Sequence, residues 1–217
     1  MSKPLPSVID GYVRDGLVLC FDGYQPPAGG KWKDLSGSGN DLVLADGVTY
    51  DAEAHKVTFA TTNQSKTTNE VAISGTTGVT IELVSGKLGT FFESDTSWPY
   101  SPRIFFSTPF LYRALNDNNY VGTSIAVNTS TALLAEQFSL AGADSADHFF
   151  DDVNASWRHG TNTNKLTFTA TNYKLRFYNS IIYAFRIYNR KLTAAELLQN
   201  RLRDAQRFNL STTNIQG

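Results

Sequence analysis

Cysteine is almost absent from this chain, which holds Cys20 alone. A single thiol excludes an internal disulfide framework and a zinc site built on cysteines. Histidine is nearly as scarce. His55, His148 and His159 sit in unrelated segments, and no Gly-x-Ser-x-Gly elbow accompanies them, so no Ser-His-Asp arrangement is legible. No apolar run approaches the roughly 18 residues that a membrane-spanning helix needs. Neither sign of charge dominates: 19 Lys and Arg stand against 20 Asp and Glu, for a net charge of −1, which implies no broad basic surface for nucleic acid. Phosphate loops, dinucleotide fingerprints and zinc spacings are missing as well. No period of 20–50 residues repeats, which excludes solenoids and propellers. The N-terminus, MSKPLPSVIDGY, has no apolar signal core. The expectation is a chain without a standard export signal, one whose signal was removed, or a virion protein released by cell lysis.

What remains is a chain of 217 residues, 41% apolar and 18% charged, the composition of a globular domain. Its length suits one unit, because sandwiches and barrels run to roughly 200–250 residues. Residues 1–15 read as a Pro-containing lead-in, 16–210 as one domain and 211–217 as a polar tail. Gly16–Asp22 is the first clear strand, with Leu17, Leu19 and Phe21 expected on one face and Val18, Cys20 and Asp22 on the other. Cys20 therefore reads as a packed, inert thiol. Trp32 and Trp157 read as core. Short apolar runs follow around 42–44, 48–50, 56–60, 70–73, 79–85 and 88–93. Others lie at 103–107, 110–114, 120–127, 132–140, 153–159, 165–171 and 174–178. Gly, Asn, Ser and Pro turns separate them, and an acidic loop is expected over 142–154. Many short strands with such punctuation predict an all-β sandwich.

The end of the chain departs from that rhythm. Ser180–Asn189 is an unbroken apolar run, read as a buried strand in which alternation sets Arg186 beside Ile182, Ala184 and Tyr188. Such an arginine should pair with an acid inside the sandwich. A helix follows. Thr193 and Glu196 have capping-box spacing. Ala194, Leu198, Leu202, Ala205 and Phe208 recur at helical intervals with Leu197 beside them, and form the expected buried stripe. Gln199, Asn200, Arg203, Asp204 and Arg207 make the other face.

Three segments together resemble the laminin-G-like, concanavalin A-like jelly roll: DGLVLCFDG at Asp15–Gly23, WKDLSGSGNDL at Trp32–Leu42 with GVTYD at Gly47–Asp51, and IYAFRIYNRKLTAAELLQN at Ile182–Asn200. The closing strand and helix are the most specific of these, and are similar to versions found in secreted bacterial proteins and phage virion proteins. The resemblance implies two stacked antiparallel sheets with one C-terminal helix. It also implies a module that binds glycans or proteins, or a structural part of an assembly, and a structural calcium ion. An acidic pair common in relatives before the last-strand arginine is replaced here by Tyr183 and Ala184.

Asp22, Asp34 and Asn40 lie in the first two segments and are the metal candidates that the resemblance points to, with Asp144, Asp147, Asp151 and Asp152 a second acidic set. Calcium needs six to eight oxygen ligands, and turn formation is the competing role for these residues. For a ligand, Trp98 and Tyr100 in a Pro-containing loop are the leading residues. Tyr112, Asn116, Asp117, Asn118 and Tyr120 could join them, aromatic rings stacking on sugars while polar groups orient hydroxyls. The partner would be a glycan or another virion or surface protein, with a homo-oligomer open. Glu93-Ser94-Asp95 begins the acid pattern of glycosidases on this fold, but Trp98 stands where a further acid would be, which favours a non-catalytic reading over the glycosidase alternative.

Overall fold

The computed structural model describes residues 8–59, 64–72, 79–87, 90–94, 103–107, 110–115, 119–123, 132–138, 146–151, 158–162 and 172–209. Side chains are described over 8–59, 64–71, 79–86 and 174–209. In chain order the strands begin with β1 (Leu17–Asp22), β2 (Lys31–Trp32), β3 (Leu42–Val43), β4 (Thr49–Asp51), β5 (Lys56–Thr58) and β6 (Ser65–Thr67). Next come β7 (Val71–Ala72), β8 (Val79–Lys87), β9 (Thr90–Ser94), β10 (Arg103–Ser107), β11 (Phe110–Leu115) and β12 (Asn119–Thr123). The last are β13 (Ala132–Phe138), β14 (Ala146–Asp151), β15 (Arg158–Asn162), β16 (Asn172–Tyr173), β17 (Leu175–Phe177) and β18 (Ile181–Tyr188), followed by helix α1 (Ala194–Phe208).

Two antiparallel sheets form a sandwich. The first runs β15-β14-β13-β8-β18-β5-β4, with β1 also paired to β18; the second runs β12-β11-β10-β9-β17-β6-β3-β2. A two-stranded ladder, β16-β7, stands apart. The all-β jelly-roll architecture expected from the sequence is the architecture present. One local expectation changes. Ala146–Asp151, read as part of an acidic loop, is a strand pinned on both sides by β13 and β15, and Asp147 and Asp151 take ladder positions opposite Gln137 and Leu133. Pairing partners, which a local window cannot supply, override the turn preference of aspartate. The strand expected at 165–171 and Trp157 lie outside the described residues.

Between the sheets lies an apolar core of Leu19, Phe21, Trp32, Leu42, Val57, Phe59, Ile81, Leu83, Phe177, Phe185 and Ile187, among others. Trp32 is wholly buried, stacks on Phe21 with ring centroids 5.4 Å apart, and donates its indole N–H to the Gln25 carbonyl at 2.9 Å. Buried tryptophan is tolerated where that N–H has an acceptor.

Breaks in strand register decide which residues reach this core. The register of β1 slips between Leu17 and Leu19, and that of β18 slips twice between Ile181 and Ala184. Strict alternation therefore fails. Val18 packs on the inter-sheet core and Leu17 on the helix side. Ile182 joins Phe185 and Ile187 in the core, while Tyr183 turns to the helix side with Ala184. One extra residue inverts every face before it.

Helix α1 starts as expected. Thr193 Oγ1 accepts from the Glu196 amide, and Glu196 closes the box on the Thr193 amide at 2.8 Å. Arg190 grips the same carboxylate at 2.6 and 2.9 Å. That guanidinium above all holds the Glu196 carboxyl down at about 2, against an opposing effect of partial burial and with further help from the Thr193 cap. The folded value is below the ordinary glutamate value of 4.5. The contribution to stability is thus whole above pH 4.5 and is lost as the pH falls toward 2. Glu196→Gln should destabilise the fold by about 1 kcal/mol at neutral pH. Its unfolding midpoint should also fall less steeply than wild type between pH 4.5 and 2, which thermal melts across that range would read.

The buried side of α1 matches the expected stripe at Leu197 and Ala205 but not elsewhere. Leu197, Asn200, Arg201, Asp204 and Ala205 are buried, whereas Leu202 is 45% exposed and Ala194 and Ala195 face outward. The reason lies in the sheet surface below. It presents Glu82 and Arg186 at its centre, so the helix turns its polar stripe inward to meet them. The lead-in also contributes: Ile9, Tyr12 and Val13 are buried against the same seam.

Candidate functional site

The densest group of charged side chains among the described residues lies in the seam between α1 and the first sheet. Arg186 on β18 is 1% exposed. Its Nε donates to Glu82 Oε2 at 2.8 Å, and its two terminal nitrogens donate to both oxygens of Asp204 on α1. Asn200 donates to Glu82 and to the Tyr188 hydroxyl, at 2.9 and 3.0 Å, and accepts from the Val13 amide. The Tyr12 hydroxyl donates to Asp204 at 2.6 Å, while its ring lies 4.3 Å from the Arg186 guanidinium carbon. Arg207 clasps Asp22 through two bonds, 2.5 and 2.7 Å long.

Burial works against the charge of Arg186, but Asp204 and Glu82 more than offset it and raise its pKa further. Burial pushes the Glu82 carboxyl up, opposed by Arg186 and Asn200. The Tyr12 and Tyr188 hydroxyls are likewise pushed up by burial, then by Asp204 and Glu82 respectively. Every charge here has a close opposite partner and no side chain is exposed, so the group acts as a weld rather than as reactive machinery. Sequence reasoning anticipated an acid for Arg186 but identified neither Glu82 nor Asp204. Glu82 was legible as a lone acid inside the strand VTIELVS; Asp204 was hidden by assignment to the solvent face.

Cys20 packs in this seam beside Ile9 and Tyr12 and is 1% exposed. Burial pushes its thiol pKa upward. The native protein should not react with a water-soluble thiol reagent over hours at pH 8, and should react stoichiometrically once unfolded in denaturant, as read by a chromogenic disulfide.

The metal candidates are put to other uses. Asp34 is the hub of the Leu35–Asn40 turn: it accepts from the amides of Cys20, Ser36 and Asn40 and from the Ser36 hydroxyl, at 2.9–3.0 Å. The Asp22 carboxylate is neutralised by Arg207 and also accepts from the Tyr24 amide. Asn40 directs its side-chain amide to the Val18 carbonyl at 3.4 Å. Among the described residues no group of three or more His, Cys, Asp or Glu is arranged to hold a metal ion. With the Asp34 oxygens taken by four hydrogen bonds and the Asp22 charge paired with Arg207, this set does not fit a calcium ion as arranged. Of the second acidic set, Asp144 and Asp152 lie outside the described residues.

Two surface features were not foreseen. Tyr24 stacks on His55 with centroids 3.7 Å apart, while the Arg207 guanidinium carbon lies 4.4 Å from the same ring. Two groups that close cannot share one side of a ring, so both faces of Tyr24 are taken and it offers no platform for a sugar. On α1, Ala195, Leu198 and Leu202 line a shallow open groove with Gly11.

The outer face of the second sheet collects chemistry instead. Trp32, Leu42, Ser65, Thr67, Leu175 and Phe177 are buried on its inner side. The residues between them, Lys31, Val43, Lys66 and Arg176, stand on the outer side, with Val43 44% exposed. Pairing makes these four one row: Lys31 opposite Val43, Val43 opposite Lys66, Lys66 opposite Arg176. The row continues through the positions of Glu93, Arg103, Ala114 and Tyr120. Tyr112, two positions along β11 from Ala114, occupies a neighbouring row opposite Phe105 and Gly122. Two of the residues singled out from the sequence, Tyr112 and Tyr120, therefore share a register frame with Lys66 and Arg176. Trp98, Tyr100, Asn116, Asp117 and Asn118 lie outside the described residues. The cations of this face went unrecognised because they lie one to a strand on strands remote in sequence.

No family model matches the chain, and no curated protein matches it in sequence. Solved structures do resemble it. The botulinum neurotoxin serotype D binding domain superposes with a TM-score of 0.66 at 10% identity, over 89% of this chain and 53% of that one. The sialidase of Trypanosoma rangeli in complex with sialic acid superposes with a TM-score of 0.59 at 10% identity, over 94% of this chain and 34% of that one. The chain thus spans about half the length of the first and about a third of the second. At such identities the likeness is one of fold, and it agrees with the two-sheet antiparallel sandwich described above.

Proposed function

We propose that this domain is a non-catalytic recognition module that binds carbohydrate on the outer face of its second sheet, displayed on a phage virion or another extracellular surface. The observation that carries the reading is the shared register of Tyr112, Tyr120, Lys66 and Arg176. It sets aromatic, cationic and polar residues on one broad sheet surface, the combination that orients sugar rings and their hydroxyls. Support of a weaker kind comes from fold: one neighbour is a toxin's binding domain, and another is a sialidase holding sialic acid. A glycan array probed with and without chelator tests the reading. Binding that survives chelation and falls in Tyr112→Ala and Tyr120→Ala is the expected result; silence across the array would move the ligand to a protein surface.

The sialidase neighbours keep a glycosidase as the second reading, with Glu93 and Asp95 as its named acids, of which Asp95 lies outside the described residues. Glu93 stands level with Arg103 and Arg176 on the flanking strands, a cross-strand charge pattern that stabilises a sheet without any reaction. Incubation with a polysaccharide panel, with Glu93→Gln in parallel, separates the two. Turnover that disappears in the variant would replace recognition by hydrolysis.

A further inference from the structure

We infer that residues 8–15 are the strap of a latch: together with α1 they leave and rejoin the first sheet as one unit, while the sandwich stays folded. The latch is independent of what the second sheet binds. Residues 8–15 belong to no strand. Side chains hold their main chain instead. The Asp10 and Gly11 carbonyls accept from Arg203 and Gln199 on α1, at 3.1 and 2.9 Å. The Val13 amide donates to Asn200 at 2.9 Å, and the Asp15 carbonyl accepts from Arg190, just before the helix. The Val13 carbonyl accepts from the Tyr188 hydroxyl at 3.1 Å. A strap fastened by the side chains of a helix loses those fastenings when the helix departs.

The helix depends on the strap in turn. Asp204 is shared: Arg186 holds it from the sheet and the Tyr12 hydroxyl from the strap. The Tyr12 ring also covers the Arg186 guanidinium, whose carbon is 4.3 Å from the ring centre. Lifting the strap lets water reach this pair, and an ion pair that holds tightly in a dry seam holds weakly in a wet one. The apolar contacts of the strap are local as well. Val13 joins a small cluster with Tyr188, Leu192 and Leu197, and Ile9 and Tyr12 join another over Cys20. Both are separate from the core between the sheets, so losing them leaves that core intact. Asn200, Arg201 and Asp204 hydrate readily once released, so undocking wets little apolar surface of the helix. Units of this kind open at free energies below that of global unfolding.

Cys20 reports the opening, because Ile9 and Tyr12 pack over it and it is 1% exposed. The full chain is incubated for days at pH 8 with a chromogenic disulfide, without urea and across sub-denaturing urea. The rate should depend only weakly on urea at first, since latch opening exposes little surface, and steeply near the unfolding transition. Tyr12→Phe deletes the hydroxyl's bond to the charged Asp204 and should raise the urea-free rate about tenfold or more. Gln199→Ala with Arg203→Met removes two fastenings of the strap and should raise it about threefold. That pair keeps the test decisive if Tyr12→Phe does not fold. Val57→Ala, in the core between the sheets, should lower the urea midpoint of unfolding yet change the urea-free rate by less than about twofold. Hydrogen exchange supplies the second readout. Amides from 197 to 205 should exchange faster in the Tyr12 variant in step with Cys20, while those of β8 keep wild-type protection. Rates that track global stability across all the variants would overturn the latch, since Cys20 would then be reached by complete unfolding alone. So would a faster thiol with unchanged exchange in α1, which would mean that the strap peels away without the helix.

Discussion

Replacing Arg186 with alanine should destabilise the fold by about 3–5 kcal/mol, because it leaves Glu82 and Asp204 buried without a counter-charge. For a domain of this size that is a fall in Tm of roughly 10 °C. The physical content is in what the single replacement strands. Arg186, Glu82 and Asp204 are each at most 3% exposed, and no water can take over the lost bonds without opening the seam. Helix α1 should loosen first, since three of its five buried residues are Asn200, Arg201 and Asp204. Hydrogen exchange of the amides from 197 to 205 would report that directly. A triple variant, Arg186→Met with Glu82→Leu and Asp204→Leu, removes all three charges together and should recover at least half of the loss. If the single variant melts within 2 °C of wild type, roughly the shift of less than 1 kcal/mol, the three-way weld does not exist in solution.

Gly23→Ala should destabilise by about 3 kcal/mol, the upper end of the range for forced overpacking. A Cβ built at Gly23 would lie 1.8 Å from the carbonyl oxygen of His55 and 3.1 Å from that of Tyr183. Both obstacles are backbone, so no side-chain rotation relieves the clash. Relief requires the turn between β4 and β5 to move off the end of β1. Such a shift would strain the bond from the Gly23 amide to Tyr183 and the one from the Tyr50 hydroxyl to Gly23, each 2.7 Å. It would also pull His55 from Tyr24. Gly29→Ala is the control. It has positive φ but nothing within 4 Å, so only the left-handed conformation is penalised, by about 1 kcal/mol. Urea titrations of the two variants should show the Gly23 midpoint displaced well beyond that of Gly29; coincident midpoints would refute the close approach.

Much of this molecule was readable before any coordinate. Turn residues between short apolar runs gave the strands, since Gly, Asn, Ser and Pro act on their own neighbours. Thr193 and Glu196 gave the helix start for the same reason: a capping box is closed within four residues. Cys20 is legible as interior from the apolar run that holds it. The failures share one cause as well. The helix stripe was chosen by hydrophobicity, yet the sheet beneath it carries Glu82 and Arg186, and the polar stripe was the better complement. The faces of β1 and β18 were assigned by a period of two that their bulges break. The cations of the second sheet were invisible in a balanced composition, because Lys31, Lys66 and Arg176 are separated by up to 145 positions and meet only through pairing.

The sequence by itself therefore determined the kinds of elements, the all-β class and where the helix begins. These follow from interactions between residues a few positions apart, which any window of the chain contains. Tertiary structure alone decided which stripe of α1 is buried, which residues the bulges turn inward, and that Lys31, Lys66 and Arg176 share one row of the second sheet. Those outcomes depend on strand register and on the polarity of the opposing surface, both set by contacts between segments far apart in the chain.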